Sequence, residues 1–176
     1  LAGRSRVVLV DKTVENGSVL YTGGVAGGLF KSENGGKTWF SIPCVVDGKE
    51  ENLPISSMVQ LADGTIMIGT GEGLSVSNLD NKGLIIPKGK GIYQYDPATA
   101  QFTCVIAADQ NLEYVNKMVV NGGYLYFATN TGLFRAAMGA AQYETIFDGG
   151  KVQDLDLAGE RLYFTKGADV YMIDSL

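Results

Sequence analysis

Histidine is absent from all 176 residues. The commonest general base and the commonest catalytic metal ligand are both missing, which narrows the chemistry the chain can support. Cysteine occurs twice, as Cys44 and Cys104, in segments (SIPC and QFTC) that read as ends of outer strands in different repeats. A bridge would need those strands to converge, so free, partly buried thiols are expected. There is no Cys/His spacing for zinc and no Asp-x-Asp loop for calcium, so no metal and no cofactor is called for. No apolar run approaches the roughly 20 residues that cross a bilayer. Lys and Arg number 14 against 19 Asp and Glu, a net charge of −5. That balance opposes nucleic acid, whose affinity rests on cations neutralising phosphates, and no basic amphipathic stretch points to a membrane surface. The chain starts at Leu1 rather than Met, as expected of a mature or excised segment of something longer, so a removed leader stays open.

What is abundant is glycine, 24 residues, about twice the roughly 7% usual share. It has no G-X-Y period, and it recurs beside short apolar runs, the mark of many tight turns between strands. Four segments share one pattern of strand, turn and strand: VENGSVLYTGGVAGGLFKS from Val14, LADGTIMIGTGEG from Leu61, VNGGYLYFATNTGLFRA from Val120 and LAGERLYFTKGADVYMI from Leu157. Their second strands begin near Val19, Thr65, Tyr124 and Arg161, in steps of 46, 59 and 37 residues. A period of about 40–50 residues with four short strands each predicts an all-β propeller. Alternation such as Leu125-Tyr126-Phe127 fits half-buried antiparallel strands, and no sustained 3.6-residue period appears, so very little helix is expected. The blades are placed at about 6–44, 55–106, 115–147 and 152–176 in a single propeller segment, the last stopping after its third strand. An open last blade leaves an edge exposed. The strand Arg6–Val10 is a candidate to fill it, through a very tight link. The segment is therefore expected to belong to a larger ring, or to meet a second copy that completes one.

The 59-residue step reflects an insertion, GEGLSVSNLDNKGLIIPKGKG, between Gly71 and Gly91. It replaces the loop joining the second and third strands of blade two, on the propeller face that commonly binds ligands. Lys82, Lys88 and Lys90 make it locally basic. Glu72, Lys88, Lys90, Thr129 and Asn130 are the candidate ligand-binding residues on that face. A solvated loop that merely tolerates extra length explains the insertion equally simply.

The sharpest motif is Ser32-Glu33-Asn34-Gly35-Gly36-Lys37-Thr38-Trp39. It resembles the Asp-box, or BNR repeat, Ser-x-Asp-x-Gly-x-Thr-Trp, found in sialidases, sortilin-like receptors, xyloglucanase-type glycosidases and photosystem assembly factors. It departs at Asn34, where the family has Asp. The physics favours a structural turn: Ser32 and Asn34 bond backbone groups of their own loop, Gly36 takes a positive φ, Thr38 ends the box and Trp39 packs beneath it. A second resemblance rests on DGTIMIGTGEG, GIYQYDPATAQF and YLYFATNTGLFRA, which look like repeats in the sensor propellers of bacterial hybrid two-component regulators. The family's Trp is replaced here by Met67 and Tyr126. In Asp96-Pro97 the carboxylate caps a type I turn, again architecture.

Glycoside hydrolysis needs two carboxyl groups roughly 5–10 Å apart across a cleft. Glu72, Asp109, Glu113 and Asp148 are available on the presumed ligand face, none in a distinctive motif. A sialidase would also need an arginine cluster and a Tyr nucleophile, whereas only Arg4, Arg6, Arg135 and Arg161 exist. The Arg-Ile-Pro start motif of that family is absent, and Ser41-Ile42-Pro43 does not replace it. The glycine pairs 23–24 and 27–28 lack the strand–loop–helix context of a phosphate cradle. No catalytic residue is assigned. The resemblances imply a non-enzymatic binding module of a secreted, periplasmic or cell-surface bacterial protein, with a carbohydrate or protein ligand. The alternatives are a glycoside hydrolase fragment whose catalytic residues lie elsewhere, and a structural scaffold or assembly factor.

Overall fold

Short apolar alternations punctuated by Gly, Asn and Asp leave the chain little choice but strands and tight turns, and the structure follows. The computed structural model describes residues 4–73, 86–174 and 176, and every regular element among them is a β-strand. The first sheet runs in chain order through β1 (Ser5–Val10), β2 (Leu20–Gly24), β3 (Gly28–Ser32) and β4 (Phe40–Ile42). A hairpin of β5 (Val45–Val46) and β6 (Lys49–Glu50) follows. The second sheet contains β7 (Ile55–Gln60), β8 (Ile66–Thr70), β9 (Gly91–Asp96) and β10 (Gln101–Ala107). The third contains β11 (Val115–Asn121), β12 (Tyr124–Thr129), β13 (Leu133–Ala137) and β14 (Glu144–Phe147). The fourth has three strands, β15 (Asp154–Ala158), β16 (Arg161–Lys166) and β17 (Asp169–Ile173).

All pairings within these sheets are antiparallel between neighbours, and the first strands β1, β7, β11 and β15 contact one another in turn. The sheets are thus blades of a β-propeller radiating from a hub lined by their first strands. The strand Arg6–Val10 pairs with β2 as the inner strand of blade one, so it does not fill the fourth place of blade four. The outer edge of β17 has no strand beside it among the described residues.

The inner strands share one irregularity. The register slips between Ser5 and Val7, between Ile55 and Ser57, and between Val115 and Lys117, which leaves Arg6, Ser56 and Asn116 as bulged residues. A bulge re-aims a side chain, and here it does so at the hub end of each blade. Gln153, just before Asp154↔Thr165, holds the same place in blade four.

Three apolar clusters fill the three junctions. Tyr21, Leu29, Ile55, Ile66, Ile68 and Tyr95 join blades one and two; Met67, Ile92, Met118, Leu125 and Phe127 join two and three; Tyr126, Ala128, Val152, Leu162 and Phe164 join three and four. Met67 and Tyr126, the residues standing in for the resemblance's Trp, are both buried at these junctions.

The blades approach so closely that one position per junction must be small. A Cβ on Gly23 would lie 2.2 Å from Ile55, and one on Gly69 would lie 2.6 Å from Val115. Replacing Gly69 with alanine is therefore expected to lower stability by about 1–3 kcal/mol through overpacking, read as a fall in the urea midpoint at unchanged slope. An unchanged midpoint would show that the junction has slack.

The β5–β6 hairpin is unforeseen. Asp47 (φ 51°) and Gly48 (φ 76°) form its two-residue turn, and both positions need a left-handed backbone. It packs on β10 at the outer side of blade two. Cys44 lies just beyond β4, and Cys104 lies within β10 rather than at its end; both are free. Burial pushes both thiols above their ordinary range.

Candidate functional site

Three bulges and the residue leading into β15 bring four polar side chains from four blades to one place. A cavity of about 340 Å³ opens at the hub, lined among others by Arg6, Ser56, Asn116 and Gln153 with Glu72 and Lys117. Its strongest electrostatic feature is Glu72, 2% exposed. One of its oxygens accepts from Arg6 Nε at 2.8 Å, the other from a terminal nitrogen of Arg6, and Arg4 approaches at 3.3 Å. This bidentate fork spans blades one and two and compensates a carboxylate held out of water.

The other bulged residues also reach forward to the next blade. Ser56 Oγ donates to the Val115 carbonyl at 2.5 Å, and Asn116 Nδ2 donates to the Val152 carbonyl at 2.7 Å and to Asn130 Oδ1 at 3.1 Å. Asn116 is 5% exposed, and its Oδ1 has no partner among the described residues; the same is true of Gln153 Oε1. Two unsatisfied acceptors at one hub are costly unless something donates to them. Lys151 adds a donor at the rim, bonding the Gly73 carbonyl.

The residues singled out from sequence fall in different places. Glu72 lines the hub, and Asn130 stands beside it through Asn116. Thr129 is fully buried, and its Oγ1 accepts from the backbone N–H groups of Thr131 and Gly132, which closes its own turn. Lys88 pairs with Glu113 at 2.7 Å on the exposed rim. Lys90 pairs with Glu51, which Lys49 also approaches at 3.1 Å; these two lysines hold the Glu51 carboxyl below the usual carboxylate range. The central part of the insertion, residues 74–85 with Lys82, lies outside the described residues.

The Ser32–Trp39 segment links β3 to β4 and forms a closed turn. Ser32 Oγ accepts from Gly36 N at 2.9 Å, Asn34 Oδ1 accepts from Thr38 N at 2.9 Å, and Trp39 Nε1 donates to the Gly36 carbonyl at 2.9 Å. Asn34 Nδ2 donates to Thr38 Oγ1 at 2.8 Å, a bond the aspartate of the repeat pattern could not donate. Gly36 has φ 86°. Nothing in this turn reaches the hub.

Arg6, Ser56, Asn116 and Gln153 were missed in the sequence because the repeats were aligned on their second strands. Aligning the first strands as RVVLV, SSMVQ, NKMVV and QDLDL places a polar residue at the three bulges and at the matching place of blade four. The signal was present, one strand upstream of where it was sought.

No protein-family profile and no curated protein matches the chain. Solved structures do. The GH74 xyloglucanase from Xanthomonas campestris overlays with TM-score 0.70 at 15% identity, across 96% of this chain and 27% of that one. The extracellular domain of BT4673, named as a hybrid two-component system of B. thetaiotaomicron, gives 0.68 at 19% identity, across 96% and 21%. A chain of the nidogen/laminin complex gives 0.69 at 12% identity, across 98% and 60%. The chain thus spans about a fifth to three fifths of these proteins' lengths. They include an enzyme, a sensor's extracellular domain and a protein-complex component, so what this similarity establishes is the β-propeller fold, and the fold alone.

Proposed function

We propose that this chain is the ligand-holding part of a non-catalytic propeller module of a secreted, periplasmic or cell-surface protein, and that its ligand is a carbohydrate held at the hub. The observation that carries this reading is the hub cavity of about 340 Å³, which four blades line with polar side chains, Arg6, Ser57, Lys117 and Asp154 among them. Hydroxyl groups of a sugar donate to the exposed Asp154 carboxylate, while Lys117 and Arg6 offer donors to ring and hydroxyl oxygens. Glu72 and Gly73, at the start of the insertion, line that side. The ring is completed from outside this chain, by further blades or by a second copy.

Glycoside hydrolysis is the second reading, because Glu72 and Asp154 line the same cavity. Both oxygens of Glu72 are occupied by arginine, which leaves none to protonate a leaving group, so binding is the better account. A glycan array followed by calorimetry tests the proposal. The wild-type chain is expected to bind a sugar without cleaving it, and Lys117→Ala to weaken binding about tenfold or more, the worth of one charged hydrogen bond. Binding of a peptide with no glycan signal, or affinity unmoved by Lys117→Ala, would overturn the carbohydrate site.

A further inference from the structure

Each internal junction is built the same way. The bulged residue of one blade reaches the next: Arg6 to Glu72, Ser56 to the Val115 carbonyl, Asn116 to the Val152 carbonyl. A small residue of the second strand seats the first residue of the next inner strand: Gly23 under Ile55, Gly69 under Val115, and Ala128 in one cluster with Val152. Ile55, Val115 and Val152 are all fully buried, and Met58, Met118 and Leu155, three places further along, are nearly so.

The two ends of the arc carry the same parts, with no further blade against them among the described residues. On blade four these are Gln153, whose Oε1 is buried without a partner among the described residues, the seat residue Thr165, and Val170 and Met172, 71% and 50% exposed. On blade one they are Ser5, exposed, with Val8 and Val10 at 66% and 50%.

We infer that these faces are the two halves of one interface: blade four of one copy packs on blade one of a second copy, head to tail, and two such junctions about a two-fold axis close a ring of eight blades. This rests on the reading above that the ring is completed from outside the chain, and it names what completes it. Size argues for a second copy over an unrelated blade. Where the seat is Gly or Ala, the residue it receives is Ile or Val. Thr165 fills the seat with a branched side chain of its own, so the blade it receives must begin with something small, and Ser5 is the small first residue this chain offers. The Ser5 carbonyl is the counterpart of the carbonyls that Ser56 and Asn116 bind.

Light scattering on the 176-residue chain is expected to give twice its 18.7 kDa. Ser5→Trp and Val170→Glu, one on each face and both at exposed positions, should each return the mass to that of one chain without changing the circular dichroism. A wild-type monomer, a mass that climbs steadily with concentration, or variants that leave the mass unchanged would each overturn the second-copy ring. If the chain is monomeric, thiol labelling of Val8→Cys separates the two readings. A reactive thiol removes the second copy and leaves the open arc standing, whereas a protected one removes the open arc as well.

Discussion

Arg6→Ala is expected to lower the stability of the chain by about 3 kcal/mol, the lower end of what breaking a buried ion pair costs. The partner left behind decides the magnitude. Glu72 is 2% exposed and cannot turn to water, whereas the Arg6 side chain keeps 23% of its surface and Arg4 half. Removing the arginine therefore strands a buried carboxylate with one partly solvated neighbour at 3.3 Å. Removing the carboxylate instead, as Glu72→Gln, leaves an arginine that can rehydrate, and the loss should be about 1–2 kcal/mol. Arg6→Lys should fall between, since an ammonium cannot reproduce the two-pronged contact with both oxygens. Urea denaturation of the three variants gives the order directly. Equal losses for Arg6→Ala and Glu72→Gln would mean that the hub is wet enough to hydrate Glu72, and the fork would then be a surface contact in energetic terms.

How much of this was legible in the sequence depends on distance along the chain. Strand, turn and blade repeat are encoded locally, in Asn-Gly, Asp-Gly and Gly-Gly steps between alternating apolar residues, and they emerged from periodicity alone. The Ser32–Trp39 turn was equally readable, because its side-chain hydrogen bonds each span four residues or fewer. The β5–β6 hairpin was missed although Val-Val-Asp-Gly-Lys-Glu carries the Asp-Gly signal; strands of two residues give too little alternation to register. The hub is a different case. Arg6 and Glu72 are separated by 66 residues, Ser56 and Val115 by 59, Asn116 and Val152 by 36. No local rule pairs them, and Thr129, which sequence placed at the ligand face, spends its hydroxyl on its own turn. Glu72 could be singled out by its position beside the insertion, but its two arginines could not.

The middle junction is where a single truncation should do most harm. Phe127 is fully buried between blades two and three, stacked on Phe134 with ring centroids 5.8 Å apart and met edge-on by Tyr143 at 5.6 Å. Phe127→Ala removes this packing and leaves a cavity, and the expected loss is about 3–5 kcal/mol. The aligned residue of blade one's open face is Thr22, whose side chain bonds the Val7 carbonyl at 2.9 Å. Thr22→Ala should cost about 1 kcal/mol, the worth of that hydrogen bond. The contrast isolates what a junction contributes, because both residues occupy the same position of a second strand. Losing Phe127 should also loosen the coupling between the two halves of the arc, since each blade contacts its sequence neighbours in a quasi-linear array. Trp39, the single tryptophan, lies in blade one, so its fluorescence follows that end while circular dichroism follows all four sheets. In the wild type the two urea transitions should coincide, and in Phe127→Ala the dichroism should fall first. Coincident transitions with a loss under 1 kcal/mol would place the cohesion of the arc somewhere other than its aromatic junction.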